Sequence, residues 1–302
     1  MLEGLAIILL PMLFGYLIKL KDLRWMDRIT RLNSWLLYAI LFVIGLSLGQ
    51  LEDLAEQLPR IGINGLVFIL FIQGANLLVL GFYDKWRPQP IKAQLDAMPS
   101  RLQVWIDAGK LCAMVLVGFL LGFALKDSVT LPLSLSTYIL LVMIFCVGVQ
   151  LRNGGISLRT VLFNRRAIIT SLLFIISSLI GGALAAKLLD LPVVQGLAVA
   201  SGFGWYSLSS ITLNNAWGAV WGSIAFFTDL TRELLSLLIV PLLMQNYRST
   251  AIASTGATAL DCTLPIIQKA GGVEVLPLAI SFGFIINLVV PILLMIFTSI
   301  PI

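Results

Sequence analysis

Apolar residues in this chain come in long runs with little polar interruption, and hydrophobic positions do not alternate with polar ones in a surface-helix or strand pattern. Six runs approach the roughly 20 residues needed to cross a hydrocarbon core: Gly4 to Ile18, Asn33 to Gly49, Ile61 to Phe82, Leu111 to Leu125, Tyr138 to Leu151 and Ala167 to Ala186. Several are short, so their ends must extend into flanking residues. The pattern predicts an all-α polytopic membrane protein.

The remainder is less regular. Val193 to Leu213 is uncharged and long enough to span, yet Ser201 to Ser210 puts two glycines and four serines into ten residues, which predicts a broken helix. Ile224 to Met244 is a full span carrying Asp229, Arg232 and Glu233, and Val275 to Thr298 is a clean final span. Between those two, Ser249 to Gly272 is interrupted by Ser, Thr, Gly, Asp261 and Pro265, and is expected to be re-entrant or discontinuous. If both irregular stretches enter and leave on one side, the chain has about eight transmembrane helices plus two re-entrant or broken-helix segments. If both cross, it has ten.

Charge orients these spans. Lys19, Lys21, Arg24, Arg28 and Arg31 fill the first loop, Lys85, Arg87, Lys92, Arg101 and Lys110 the third, and Arg152, Arg159, Arg165 and Arg166 the fifth. The even loops hold only Arg60, Lys126 and Lys187. Because cytoplasmic loops retain Lys and Arg, the odd loops are expected in the cytoplasm and both termini outside. Eight crossings are favoured over ten, since ten would put Arg248 outside.

An inverted repeat is also expected, because many transporters are built from inverted halves. Phe42-x-x-Gly45-x-x-Leu48 recurs as Phe145-x-x-Gly148-x-x-Leu151, and Gly15-Tyr16 before Lys21-Asp22 is echoed by Gly122-Phe123 before Lys126-Asp127. The corresponding division is an N-terminal membrane unit, 1-106, with three spans and a cytoplasmic loop, and a C-terminal unit, 107-302, carrying the transport site.

Composition narrows the function. Of 302 residues, 59% are hydrophobic and only 12% charged, about half the charged share of a soluble domain. A globular enzyme is excluded on that ground. The apolar opening has Glu3 where a secretory leader would be basic, so it is expected to remain as a span. The net charge of +5 bears on loop placement and gives no reason to expect nucleic acid as a partner. Three cysteines, Cys112, Cys146 and Cys262, form no C-x-x-C pair, and histidine is absent. Neither a metal nor another cofactor is called for, and proton chemistry must fall to carboxylates.

Charged groups inside a membrane helix cost about 2.5 to 3.5 kcal/mol each on insertion scales, which marks intramembrane acids as candidates for function. Asp229 and Glu233 are four residues apart and share a helix face, with Arg232 at its edge. A structural ion pair between Asp229 and Arg232 is the plain alternative, and it would leave Glu233 as the acid available for transport. Asp261 lies in Thr255 to Pro265, where freed backbone carbonyls could join it in binding a cation, although it could also cap a following helix. Ser201, Gly202, Gly204 and Ser207 offer N–H groups and hydroxyls where a helix restarts, a natural seat for a carboxylate. Trp205 and Tyr206 could line or gate that seat, or form an interfacial belt.

Several of these segments together resemble a known family. Leu151-Arg-Asn-Gly-Gly155, Asn164-Arg-Arg166, Ser177-Ser-Leu-Ile-Gly-Gly182 and Ala200-Ser-Gly-Phe-Gly-Trp-Tyr-Ser-Leu-Ser209 are similar to the LysO (YbjE) family of bacterial lysine exporters. So are Phe226-Phe-x-Asp-Leu-x-Arg-Glu-Leu234, Gly256-Ala-Thr258 and Asp261-x-Thr-Leu-Pro265. The resemblance covers nearly the whole chain. It implies a secondary transporter of the bacterial inner membrane that exports L-lysine and toxic analogues such as thialysine, in exchange for protons. The family's important acids fall on Glu233 and Asp261, and Thr258 joins the expected site. The residues alone fit ornithine or arginine equally well, and a cation channel is the alternative from another class. Membrane lipid is the expected surroundings, and a homo-oligomer is left open.

Overall fold

The computed structural model describes residues 10–11, 13–20, 23–50, 54–88, 101–125, 133–153, 164–260 and 263–301. Among them every regular element is helical: α1 (Leu23–Gly49), α2 (Leu54–Trp86), α3 (Arg101–Ala124), α4 (Leu133–Asn153), α5 (Arg165–Leu188), α6 (Val193–Ala200), α7 (Tyr206–Trp217), α8 (Ala219–Leu243), α9 (Arg248–Ser254), α10 (Leu264–Gly271) and α11 (Leu276–Thr298). Gly256–Leu260 and Val273–Val275 are 3-10 turns, and residues 13–17 of the first expected span are helical. Pro59–Trp86, Arg165–Leu188 and Leu276–Thr298 are long and apolar enough to cross a membrane by length and composition.

Helices outrun the apolar runs. No glycine or proline interrupts residues 23–32, so α1 starts well before Asn33 and carries Arg24, Arg28 and Arg31 on its first turns. At 33 residues, α2 extends about 50 Å at a rise of 1.5 Å per residue. The two irregular stretches are interrupted as their composition predicts. The first breaks between α6 and α7 at residues 201–205, where Phe203 (φ 49°) and Gly204 (φ 93°) turn left-handed. The second is split among α9, a 3-10 turn and α10.

Small residues bring helices to backbone contact. A Cβ on Gly45 or Gly49 of α1 would strike the carbonyl of Val115 or Phe119 on α3, and one on Gly118 or Gly122 would strike that of Phe42 or Leu46. In lipid, where burying apolar surface between helices supplies no drive, such close packing holds helices together. Gly15 meets α4 in the same way, at the Phe145 carbonyl and the Val149 nitrogen, and its neighbours match those of Gly118 atom for atom. One step along the chain carries Gly15 to Gly118, Phe42 to Phe145 and Leu46 to Val149. The contacts thus pair Gly15 with Gly118, one helical turn before the Gly122 of the sequence echo.

Helices of the two sequence units interleave: α1 packs on α3 and α4, whereas α2 packs on α5, α8 and α9. Polar contacts order the ends. Arg166 Nε donates to Ser249 Oγ at 2.8 Å, Asn164 Nδ2 donates to the Pro277 carbonyl at 3.3 Å, and Gly271 packs on Met244. The start of α5, the end of α8, both ends of the α9–α10 stretch and the start of α11 therefore gather at one end of the bundle. At the other end the Leu191 N–H bonds to Ala186 O at 2.9 Å just before α6, and Gly218 (φ 88°) turns α7 directly into α8.

Candidate functional site

The break between α6 and α7 exposes backbone groups that a continuous helix would consume, and α8 answers them. The Gly204 N–H donates to Asp229 Oδ1 at 2.8 Å, and Ser209 Oγ donates to Asp229 Oδ2 at 2.5 Å. Asp229 is 1% exposed and sits at the start of α7, where the helix dipole favours negative charge. A Cβ at position 202 would run into this carboxylate, so Gly202 is there for clearance. Ser201 is buried and its hydroxyl bonds back to Leu197 O at 2.7 Å. Ser207 is buried, Trp205 is half-buried, and Tyr206 stacks edge-on against Phe226 with centroids 5.9 Å apart. The seat expected for a substrate carboxylate thus holds one of the protein's own.

The second break is pinned from α11. Asn287 Nδ2 donates to Ala257 O and to Gly283 O, both at 2.8 Å. Thr258 Oγ1 donates to Thr255 O at 2.8 Å, and the Thr258 carbonyl accepts from the Thr263 hydroxyl at 2.8 Å and its N–H at 3.2 Å. Thr258 therefore closes a turn with both its hydroxyl and its carbonyl. Asp261 and Cys262 lie outside the described residues.

The two breaks touch. The Ala257 N–H donates to the Phe203 carbonyl at 2.8 Å, and Gly256 (φ 64°) packs so closely that a Cβ would strike that same oxygen. The stem of Arg232 runs past both Gly204 and Gly256. Its guanidinium is 1% exposed, donates from Nη1 to Gln73 Oε1 at 3.1 Å, and lies 5.3 Å from the centre of the Phe174 ring. Gln73 in turn donates from Nε2 to Ser254 O at 3.3 Å. Arg232 Nε is buried and makes no hydrogen bond.

A hydrogen-bonded Asp229–Arg232 pair is not formed. Asp229 spends its oxygens on Gly204 and Ser209, and Arg232 turns to Gln73, because the first break offers uncompensated donors that only an acceptor can satisfy. Glu233, half-buried one turn beyond Asp229, accepts at its main-chain carbonyl from Ser236 Oγ at 2.6 Å.

Sequence reasoning missed a polar clamp at the start of α9. Asp84, near the end of α2 and 1% exposed, pairs with Arg166 Nη2 at 2.6 Å. Its other oxygen accepts from the Thr250 N–H at 2.8 Å and the Thr250 hydroxyl at 2.9 Å. One carboxylate thus caps α9 and fastens it to α2 and α5. Asp84 sits among Tyr83, Lys85, Trp86 and Arg87, a setting that reads as an exposed loop. A second missed network joins α2 to α5, with Asn76 bonded to Ser177 at 2.6 Å and to Ser178 at 3.0 Å.

Apolar helices long enough to span, interrupted helices meeting at their breaks, and fully buried charge between them define a helical membrane protein. Residues 112–298 match the family model described as lysine exporter LysO. The chain is 42% identical over 299 residues to the "Lysine exporter LysO" of Escherichia coli (strain K12), covering 99% of this chain and 100% of that relative. It is 58% identical over 193 residues to the "Putative lysine exporter" of Haemophilus influenzae, covering 64% of this chain and 99% of the relative. The chain belongs to the lysine exporter LysO family, whose members are transporters and not enzymes. No solved structure matches it.

Proposed function

We propose that this protein exports L-lysine, with toxic analogues such as thialysine, from the cytoplasm across the bacterial inner membrane in exchange for protons. The observation that carries the reading is the meeting of two helix breaks around a fully buried arginine, in a chain whose relatives are named lysine exporters. Irregular backbone at membrane depth is tolerated where protein or a wet cavity surrounds it, and transporters place their sites at such breaks.

The side chains divide the work by what they already hold. Asp229 is committed to the first break, so it positions that segment and does not carry cargo. Glu233 and Asp261 take the two ammonium groups of lysine, and the free Nε of Arg232 receives its carboxylate. Burial favours the neutral form of a carboxyl group, whereas a nearby ammonium favours the ionised one. Proton and lysine therefore compete for the same acids, and competition of this kind is sufficient for antiport.

The arrangement of helix ends supports eight crossings. Residues 193–217 leave and return to one end of the bundle, and residues 248–271 leave and return to the other, as re-entrant segments would. With the Arg-rich end in the cytoplasm, both termini lie outside. The matched surroundings of Gly15 and Gly118 support an inverted repeat joining the first two spans to α3 and α4.

Counterflow in proteoliposomes tests the substrate. Vesicles preloaded with unlabelled lysine should concentrate labelled lysine transiently, and ornithine or arginine should compete less well. Equal counterflow of all three would widen the substrate to cationic amino acids. Passive equilibration without a transient would mean a channel.

A further inference from the structure

A cavity of about 730 Å³ opens where the end of α2 meets the start of α5, away from the two breaks. Three arginines line it, Arg87, Arg165 and Arg166. Arg166 is committed to Asp84 and Ser249, but Arg87 and Arg165 are exposed. The Arg87 guanidinium lies 5.2 Å from the Trp86 ring and that of Arg166 5.3 Å from the Tyr83 ring. The Arg166 Nη1 also donates to the Arg87 carbonyl at 3.0 Å, which ties the two basic helix ends together.

The rest of the wall is apolar. Val79, Phe82, Ile169 and Leu173 continue from the arginines along the outer faces of the two helices, with Phe82 73% exposed and Trp86 69% exposed. Cations at one end and an apolar trough at the other describe an amphiphile with an anionic head. A soluble anion would gain nothing from the trough, and a zwitterionic lipid would leave the cations uncompensated. Basic pockets between helices on the cytoplasmic side are where anionic headgroups bind, and guanidinium groups suit phosphate geometry.

We infer that this cavity binds the phosphate headgroup of an anionic phospholipid from the cytoplasmic leaflet, with Arg87 and Arg165 as its ligands and the α2–α5 trough as the seat of an acyl chain. The inference rests on the proposed orientation of the bundle but not on lysine as cargo. Because Arg166 both lines the cavity and holds Ser249 and Asp84, a bound lipid would brace the entrance of α9.

The test is native mass spectrometry of the full-length protein, released from detergent after titration with phosphatidylglycerol or with phosphatidylcholine of the same chains. The expected result is at least fivefold greater retention of phosphatidylglycerol, lost in Arg87→Gln/Arg165→Gln and kept in part in Arg87→Lys/Arg165→Lys, which preserves the charge but not the fork. Neutralising Arg60 and Lys187, at the other end of the bundle, should leave retention unchanged. Equal retention of the two lipids, or undiminished retention by the glutamine variant, would overturn the assignment. So would displacement of the lipid by millimolar inorganic phosphate, which would mean a simple anion site. Lipid retention is read without transport, so its failure would leave the export proposal standing, and failed counterflow would leave the lipid result standing.

Discussion

The backbone N–H of Ala257 donates to the carbonyl of Phe203 at 2.8 Å, joining the two helix breaks. Neither break can shift without disturbing the other, and the stem of Arg232 is enclosed where they meet. The contact depends on Gly256, whose φ of 64° and lack of Cβ let the second segment close on the first.

Gly256→Ala should therefore cost more than a left-handed residue alone. That conformation costs an L-residue about 1 to 2 kcal/mol, and a collision with the Phe203 carbonyl adds to it. Gly272 also has a positive φ (71°), with ψ -170°, but faces open space, so Gly272→Ala should show backbone strain without a collision. Thermal unfolding in detergent checks the order: Gly256→Ala should melt lower than Gly272→Ala and lose transport, and equal midpoints would contradict a tight junction.

Asp84 holds the start of α9 through Arg166 and Thr250. Removing one member of a buried pair leaves the other charge uncompensated, which costs about 3 kcal/mol or more. Asp84→Ala is expected to destabilise by that order, and Asp84→Asn by less because it keeps one acceptor for Thr250. Denaturation midpoints of the two variants check this. A wild-type midpoint for Asp84→Ala would mean the clamp contributes nothing.

Arg232 should govern substrate affinity more than folding in its conservative variant. A lysine at this position keeps the charge beside Phe174 but lacks the fork that can reach Gln73 and a carboxylate together. Arg232→Lys is expected to raise KM for lysine about tenfold, equivalent to about 1.4 kcal/mol, with a small change in melting point. An unchanged KM would remove Arg232 from the site.

The two breaks should be reached from opposite faces. In a background without Cys112, Cys146 and Cys262, single cysteines at Trp205 and Asp261 should react with small polar reagents, the first more readily from outside and the second from inside. Reaction of both from one face would contradict the re-entrant arrangement.

Much of the fold was legible because membrane spans are written as apolar length. The breaks were legible as well, since Ser201 to Ser210 and Thr255 to Pro265 combine glycine, proline and hydroxyl residues that favour turns over helix. Asp229 was found on energetic grounds, but its partners were not, because spacing cannot show which residue brings a free N–H to a carboxylate. Arg232 lay three residues away and still lost Asp229 to Gly204. Asp84 was hidden for a different reason: α2 runs far past its apolar stretch, so a buried cap at its end looked like loop charge.

Alternate binding of lysine and protons at Glu233 and Asp261, as proposed, is tested most directly by lysine flux from proteoliposomes under an imposed pH gradient. An inward proton gradient should accelerate export by wild-type protein. Glu233→Gln and Asp261→Asn keep the shape of each side chain but remove its charge and titration, and each should abolish the acceleration while the protein remains folded. Export with full pH dependence in either variant would contradict the account.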